Sequence, residues 1–195
     1  MFKNLIELTK VRIGFLVLTT TIIGFYLGAQ GKIDNMLLLF TVIGTLLSST
    51  GSSVMNNVIE SESDKLMDRT KNRVLPTKKI SLNFAKFLGI SFIIVGLLIL
   101  YFKVNFLTCM LSLLTIILYL FLYTPLKRKS WLNTSVGAIP GAIPPLGGWT
   151  AATNSLEWGG IAVFLFYFSG NTHIFIPSHI CIKKTIEMLV YKCCL

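Results

Sequence analysis

Residues 56–76 read NNVIESESDKLMDRTKNRVLP and place oxygen-bearing side chains every four positions, where a long apolar segment ends. A four-residue step drifts by only about 40° around a helix, so Asn56, Glu60 and Asp64 are expected along one helical face. Such a cluster repels itself unless something positive lies among its members, and hard oxygen ligands with spare coordination sites suit Mg²⁺ shared with a phosphate. The stretch therefore predicts a helix end that carries candidate metal ligands at a membrane surface.

The same stretch has a second interpretation, a solvated charged loop between two spanning helices, where mixed acidic and basic residues are ordinary. The basic residues Arg69, Lys71 and Arg73 follow the acidic ladder and would meet the remaining charge of a phosphate. Asp68 continues the spacing and would cap or orient this basic run. The residues by themselves leave both interpretations open.

Composition defines the class of protein. With 53% hydrophobic and 13% charged residues, the chain is not an ordinary soluble domain but a polytopic membrane protein. Apolar stretches near the spanning length predict an all-α transmembrane helical bundle with five spans and a weaker sixth. The stretches are residues 13–29, 36–55, 84–102, 104–123 and 135–152, and the sixth begins near Trp158.

Basic residues predict the orientation, because Lys and Arg are retained on the cytoplasmic side of a membrane. They precede the first span and follow the second and fourth, whereas the loops on the other side contain only Lys32 and Lys103. We therefore expect a multi-pass protein of the cell inner membrane with a cytoplasmic N-terminus. The net charge of +10 needs no nucleic acid as a partner, since anionic lipid and an anionic phosphate substrate suffice.

Two further stretches have both a structural and a functional interpretation. GAIPGAIPPLGG, residues 137–148, is too rich in Gly and Pro for a regular helix. Irregular backbone in hydrocarbon must be shielded or line a cavity, so a kinked, tightly packed helix and a pocket wall are both consistent with it. Tyr119, Tyr123, Lys127 and Arg128 end the fourth span and by themselves would be interfacial anchors.

The ladder resembles the first acidic motif of the UbiA superfamily of intramembrane prenyltransferases. The match runs through Asn56, Asn57, Glu60 and Asp64, with Glu60 in place of the usual aspartate. Within that superfamily the chain is most similar to the protoheme IX farnesyltransferases. This closer resemblance is carried by MDRTKNRVLP at residues 67–76 and by YTPLKRKSWLNTSVGAIPGAIPPLGGW at residues 123–149. It extends from Leu8 to about Tyr167.

The resemblance implies a reaction, a fold and a site. The reaction is transfer of a farnesyl group from farnesyl diphosphate to a vinyl group of protoheme IX, giving heme O, inside a nine-helix bundle in the lipid bilayer. Metal and basic residues would stabilise the departing diphosphate, and water would quench the final cation. The implied catalytic residues and Mg²⁺ ligands are Asn56, Glu60 and Asp64. The implied diphosphate contacts are Arg69, Lys71, Arg73, Lys127, Arg128, Lys10 and Arg12.

Two alternative functions remain at this point. The first is a prenyltransferase that acts on a small aromatic acid in quinone synthesis and shares the acidic motif. The second is a non-catalytic membrane protein, either a truncated remnant or an ion-binding helical bundle. The segment GAIPGAIPPLGGW, residues 137–149, favours the heme branch of the superfamily.

The resemblance stops after Tyr167. Relatives continue with F-W-Q-x-P-H-F and a second acidic motif around K-D-Y, which are not visible in residues 168–195. Reverse-translating this tail and reading it one base backward permits these motifs in the family's order. We therefore expect residues 1–167 to be the N-terminal part of a prenyltransferase membrane domain and residues 168–195 to be an out-of-frame tail. A chain with only the first acidic motif is expected to be inactive.

Overall fold

The computed structural model describes residues 2–66, 70–126 and 133–172, and the regular structure in these ranges is helical. The all-α prediction is therefore confirmed. The elements in chain order are α1 (Phe2–Thr9), α2 (Val11–Ala29), α3 (Asn35–Asp64), α4 (Leu82–Lys103), α5 (Phe106–Ile117), a π-helix (Leu118–Tyr123), α6 (Thr124–Leu126), α7 (Asn133–Thr153) and α8 (158–172).

Four helical stretches in the described ranges are long and apolar enough to cross a membrane. They are Val11–Ala29, Asn35–Asp64, Leu82–Lys103 and Phe106–Leu126, in agreement with the first four predicted spans. The fifth predicted span is the 21-residue α7, which falls outside this set because its glycines and prolines lower its hydropathy. The weaker sixth corresponds to α8. Large exposed apolar side chains such as Phe15, Phe102 and Phe121 suit these helices to a lipid surround.

The prediction that residues 137–148 cannot form a regular helix is wrong. They lie within α7, which contains Pro140, Pro144 and Pro145. The helix packs against α2 and α5, and backbone groups released by proline inside a membrane helix can be satisfied by neighbouring helices. The contact with α2 is so close that a Cβ atom on Gly148 would lie 2.0 Å from the Thr21 carbonyl oxygen. Tertiary packing thus overrides the poor helix propensity of this segment.

Helix α3 is the central element of the bundle and contacts α1, α2, α4, α5 and α7. Its 30 residues continue past the predicted end of the second span at Met55 as far as Asp64. The Asp34 carboxylate caps its N-terminus by accepting from the backbone amides of Met36 at 2.9 Å and Leu37 at 3.1 Å. The polar ladder is therefore the last part of a membrane helix rather than a separate loop.

The segment after α3 folds back onto the bundle through a small apolar core. Val74 and Leu75 are buried, and Leu75 packs in a cluster with Leu8, Val54, Val58 and Ala85. The Thr70 hydroxyl also donates to the Asp64 carbonyl oxygen at 3.2 Å. These contacts fix the backbone on both sides of Arg73 and aim it at the end of α3.

Candidate active site

The three ladder residues Asn56, Glu60 and Asp64 lie on α3 and are buried, with exposed fractions of 1%, 5% and 5%. The solvated-loop interpretation is therefore wrong for Asn56, Glu60 and Asp64, because these side chains are on a helix and buried in the protein. Buried charges require partners, so the surroundings of the two carboxylates decide what the ladder can do.

Arg73 supplies positive charge between the carboxylates. Its Nη1 atom lies 2.8 Å from Asp64 Oδ2, in a charge-assisted hydrogen bond, and 3.7 Å from Glu60 Oε2. The arginine side chain is about one-third exposed (32%), whereas both carboxylates are buried. A guanidinium keeps donors to spare after such a contact. Arg73 can therefore hold the ladder in place and present further donors to an anion.

A hydrogen-bonded chain joins three distant parts of the sequence at Asn56. Its Oδ1 atom accepts from Lys10 Nζ at 2.8 Å, and its Nδ2 atom donates to the Thr124 hydroxyl at 2.9 Å. The Thr124 hydroxyl in turn donates to the Tyr119 carbonyl oxygen at 2.8 Å, across the π-helix. Because the donor end of the amide is occupied by Thr124, its oxygen must face Lys10.

The neighbouring Asn57 holds the backbone that carries Lys10. Its Nδ2 atom donates to the Leu8 carbonyl oxygen at 2.8 Å. Lys10 itself has a left-handed backbone, with φ 49° and ψ 50°, at the break between α1 and α2. A non-glycine residue in this region costs energy and persists only where its surroundings hold it. The two asparagines of the motif thus fix both the turn and the ammonium group of Lys10.

A cavity of about 620 Å³ opens beside this network and runs along the helix axes. Its lining on α5 and the π-helix extends from Thr108 to Tyr123, which is about 22 Å at 1.5 Å per residue. Lys10, Asn56 and Arg73 line one end, and the remaining walls are mostly apolar, with a row of hydroxyl groups on α3. Such a space suits a long apolar molecule with an anionic head.

The predicted site residues divide into three groups. Lys10, Asn56 and Arg73 line the cavity end, and Arg73 connects them to Glu60 and Asp64. Arg12 and Lys71 are exposed and do not line the cavity. Arg69, Lys127 and Arg128 lie outside the described residues, as does Asp68.

The donor set at the ladder fits Mg²⁺ only when another molecule completes it. The described residues contain no group of three or more His, Cys, Asp or Glu side chains that could hold a metal ion by themselves. Glu60 and Asp64 supply hard carboxylate oxygens, and Asn56 adds an amide oxygen that already accepts from Lys10. Mg²⁺ commonly binds through one or two carboxylates plus substrate phosphates. The set therefore suits Mg²⁺ that is shared with a diphosphate.

Two features of the site did not emerge from the sequence analysis. Thr124 gave no local signal, because its role depends on contact with a residue 68 positions away. The hydroxyl row on α3 did give one, since the four-residue step of the ladder continues upstream through Ser52 and Ser48. Both serines line the cavity.

Fold and site together define an integral membrane protein with an apolar cavity, whose cationic end is joined through Arg73 to two buried carboxylates. The sequence pattern of the UbiA prenyltransferase family matches residues 17–183, and the chain belongs to that family. The match continues past Tyr167 into the segment that we expect to be out of frame, so that expectation stays a prediction.

Curated relatives are similar over most of this chain. The chain is 39% identical over 175 residues to a protoheme IX farnesyltransferase of Solibacter usitatus, covering 85% of this chain and 60% of the relative. It is 41% identical over 167 residues to a protoheme IX farnesyltransferase of Aquifex aeolicus, covering 85% of this chain and 57% of the relative. The chain thus spans less than two thirds of the length of these relatives.

Two solved structures share the fold. A structure of digeranylgeranylglyceryl phosphate synthase superposes with a TM-score of 0.77 at 22% identity, covering 88% of this chain and 60% of the other. A UbiA homolog from Archaeoglobus fulgidus bound to DMAPP and Mg²⁺ superposes with a TM-score of 0.71 at 18% identity, covering 91% and 63%. At these identities the likeness supports the helical architecture.

Proposed function

We propose that this protein transfers a farnesyl group from farnesyl diphosphate to a vinyl group of protoheme IX, giving heme O. The observation that carries the proposal is the cavity, whose mostly apolar walls end at Lys10, Asn56 and Arg73. An isoprenoid chain would lie along the walls and place its diphosphate at the cationic end. The names of the 39% and 41% identical relatives support protoheme IX as the acceptor.

The residues at the cavity end would each act on the departing diphosphate. Lys10 and Arg73 would contact its oxygens and stabilise the charge that develops as the allylic C–O bond ionises. Glu60 and Asp64, with Asn56, would hold Mg²⁺, which when bound supplies further charge stabilisation to the leaving group. Arg69, Lys71, Lys127, Arg128 and Arg12 remain proposed diphosphate contacts from the sequence resemblance.

The cavity walls would protect the reactive intermediate. Ionisation leaves an allylic cation, and apolar side chains around it exclude the bulk water that would otherwise capture it. The protoheme vinyl group would attack the farnesyl C1 atom and leave a new cation beside the porphyrin ring. Addition of water to that cation gives the hydroxyethylfarnesyl side chain of heme O.

The proposed reaction also sets an orientation in the membrane. Lys10, Lys65, Lys71, Arg73, Lys78 and Lys79 lie on the side of the bundle where α3 ends. Retention of Lys and Arg on the cytoplasmic side would place the ladder at the cytosolic face of the inner membrane, with the N-terminus inside. Diphosphate substrate from the cytosol would then reach the cationic end of the cavity directly.

The test is heme extraction from a strain that lacks heme O synthase. The 195-residue chain is expressed in parallel with a form whose reading frame is shifted by one base after codon 167 and whose downstream region is supplied, and membrane levels are checked by immunoblot. Heme O from either form supports the proposal, and we expect it from the frame-shifted form. A prenylated aromatic acid instead of heme O would favour quinone synthesis. If neither form of the gene makes heme O or a prenylated aromatic acid, the proposed function is overturned.

A further inference from the structure

The cavity wall formed by α3 carries a row of hydroxyl groups, and most of them are already engaged. Ser48 donates to the Thr45 carbonyl oxygen at 3.1 Å, and Ser52 donates to the Ser49 carbonyl oxygen at 2.9 Å. Ser49 donates in the same manner to the Leu46 carbonyl oxygen at 3.1 Å. The protons of all three are committed to the helix backbone, and Ser48 Oγ already accepts from Ser112 Oγ at 3.1 Å, whereas the oxygens of Ser49 and Ser52 can still accept hydrogen bonds.

Ser53 differs from Ser48, Ser49 and Ser52. It is 5% exposed and lines the cavity, yet its hydroxyl has no hydrogen-bond partner among the described residues. Polar groups that have no protein partner are normally paired with water, and Ser53 lies at the cavity wall where a water molecule can reach it. Ser53 has both a donor and an acceptor available to a small polar molecule in the cavity.

The position of Ser53 relates this hydroxyl to the reacting atoms. Ser53 precedes Asn56 by three residues, which is about 4.5 Å along the helix axis. It therefore lies one helical turn inside the cavity from the end where Lys10 meets Asn56. In the proposed reaction, the diphosphate leaves from the farnesyl C1 atom, and C1 then bonds to one carbon of the protoheme vinyl group. The second cation of the reaction forms on the other vinyl carbon, beside the porphyrin ring. This cation must therefore arise close to the Ser53 side of the cavity end.

We propose that Ser53 binds the water molecule that quenches the second cation, and this inference rests on the proposed function. Ser53 would donate to or accept from this water, and the oxygens of Ser52 and Ser49 provide acceptors on the same wall. The water oxygen gives an electron pair to the cationic carbon and forms the C–O bond. The proton that it loses passes to the released diphosphate, so no oxidant or reductant is required. Ser53 is thus a positioning residue for water in a cavity that otherwise excludes it.

The test is the ratio of the two products that the second cation can give, an alkene and the alcohol heme O. Without a held water, the cation loses a proton from the adjacent carbon and gives an alkene, which is lighter than heme O by one water molecule. Ser53→Ala and Ser53→Cys are expected to raise the ratio of alkene to alcohol by about tenfold, the effect of roughly 1.4 kcal/mol on a branching step. Ser53→Thr keeps a hydroxyl group and is expected to retain the alcohol. The ratio is measured by mass spectrometry of heme extracts, in whichever form of the gene makes farnesylated heme.

Thr115→Val is the matched control. Thr115 also lines the cavity, but on α5, and its hydroxyl already donates to the Leu111 carbonyl oxygen at 2.8 Å. This variant is expected to keep the wild-type product ratio. An unchanged ratio in both Ser53→Ala and Ser53→Cys would overturn the inference, as would loss of both products at normal membrane levels. Absence of any farnesylated heme from wild type would instead overturn the proposed function.

Discussion

Gly147 and Gly148 are adjacent in α7 but face different parts of the bundle. Gly148 faces the tight helix contacts, which we call the closed half, and Gly147 faces the cavity, which we call the open half. A Cβ atom on Gly148 would lie 2.0 Å from the Thr21 carbonyl oxygen, whereas one on Gly147 would meet nothing within 4 Å in the described structure. Gly147 lines the cavity. One glycine therefore closes the α2–α7 contact, and the other leaves open space for a ligand. The amino-acid sequence does not distinguish these two roles of glycine, because each role depends on which part of the structure the residue faces.

The same contrast is found on α3. Toward α4, Gly44 and Gly51 allow the backbones to approach, and a Cβ atom on Gly51 would lie 2.7 Å from the Gly89 carbonyl oxygen. Toward the cavity, the helix instead carries Ser48, Ser52 and Asn56. Glycines thus make one face of α3 close-packed, and polar residues make the other face a cavity wall. The following experiments separate the two halves.

The largest expected effect comes from Asp64→Asn at the polar end of the open half. It removes the charge that pairs with Arg73 at 2.8 Å and that would bind Mg²⁺. Metal positioning contributes several kcal/mol to transition-state stabilisation, so in the frame-shifted form of the gene, which we expect to be active, heme O formation should fall by about a hundredfold or more. The measurement is initial rate in membranes at saturating farnesyl diphosphate, with membrane insertion retained.

Glu62→Gln is the control for Asp64→Asn. Glu62 lies on the same helix, but its side chain is 74% exposed and pairs with Lys65 at 2.8 Å. An exposed ion pair contributes little, so this variant should keep nearly all activity. Equal rates for the two variants would show that the buried carboxylate has no special role in the reaction.

The next effect should come from Gly148→Ala in the closed half. The added methyl group meets backbone rather than a flexible side chain, so α2 and α7 must separate. Overpacking of this kind typically costs about 1–3 kcal/mol. We expect a lower unfolding temperature of the detergent-solubilised protein, measured by fluorescence-detected size-exclusion chromatography after heating. Gly147→Ala should leave that temperature unchanged, and equal losses in both variants would contradict the assignment of the two halves.

A smaller effect is expected from Thr124→Val, which removes the hydroxyl that orients Asn56. The Asn56 amide then lacks the acceptor at 2.9 Å and can rotate away from Lys10. A neutral hydrogen bond contributes about 1 kcal/mol, so kcat should fall roughly fivefold. Thr124→Ser should restore the rate. If only the KM for protoheme changed, Thr124 would act on the acceptor instead of on the diphosphate end.

The last experiment leaves activity unchanged and asks which end of the cavity faces the cytosol. Asn83 and Ile33 are exposed at opposite ends of the spanning helices. In a cysteine-free background, we expect Asn83→Cys to react with a membrane-impermeant thiol reagent only in inside-out vesicles. Ile33→Cys should react only in intact cells with a permeabilised outer membrane. The reverse pattern would place the ladder on the outer face.

The amino-acid sequence by itself determined the class of protein and the face of the ladder. The all-α membrane fold follows from 53% hydrophobic residues in stretches of spanning length. The shared face of Asn56, Glu60 and Asp64 follows from helical periodicity, which depends only on near neighbours in the chain. Arg73 was assigned to a phosphate from its place after the ladder, and Lys10 to a diphosphate from the resemblance, but the sequence did not indicate which protein groups they would contact.

Only the tertiary structure decided those partners. Lys10 reaches Asn56 across 46 residues because Asn57 holds its left-handed turn, and Arg73 reaches Asp64 because Val74 and Leu75 bury themselves beside it. Thr124 is paired with Asn56 by helix packing alone. The regular helix through three prolines likewise depends on its neighbours. Periodicity is local and can be read along the chain, whereas these contacts exist only once loops have closed and helices have packed.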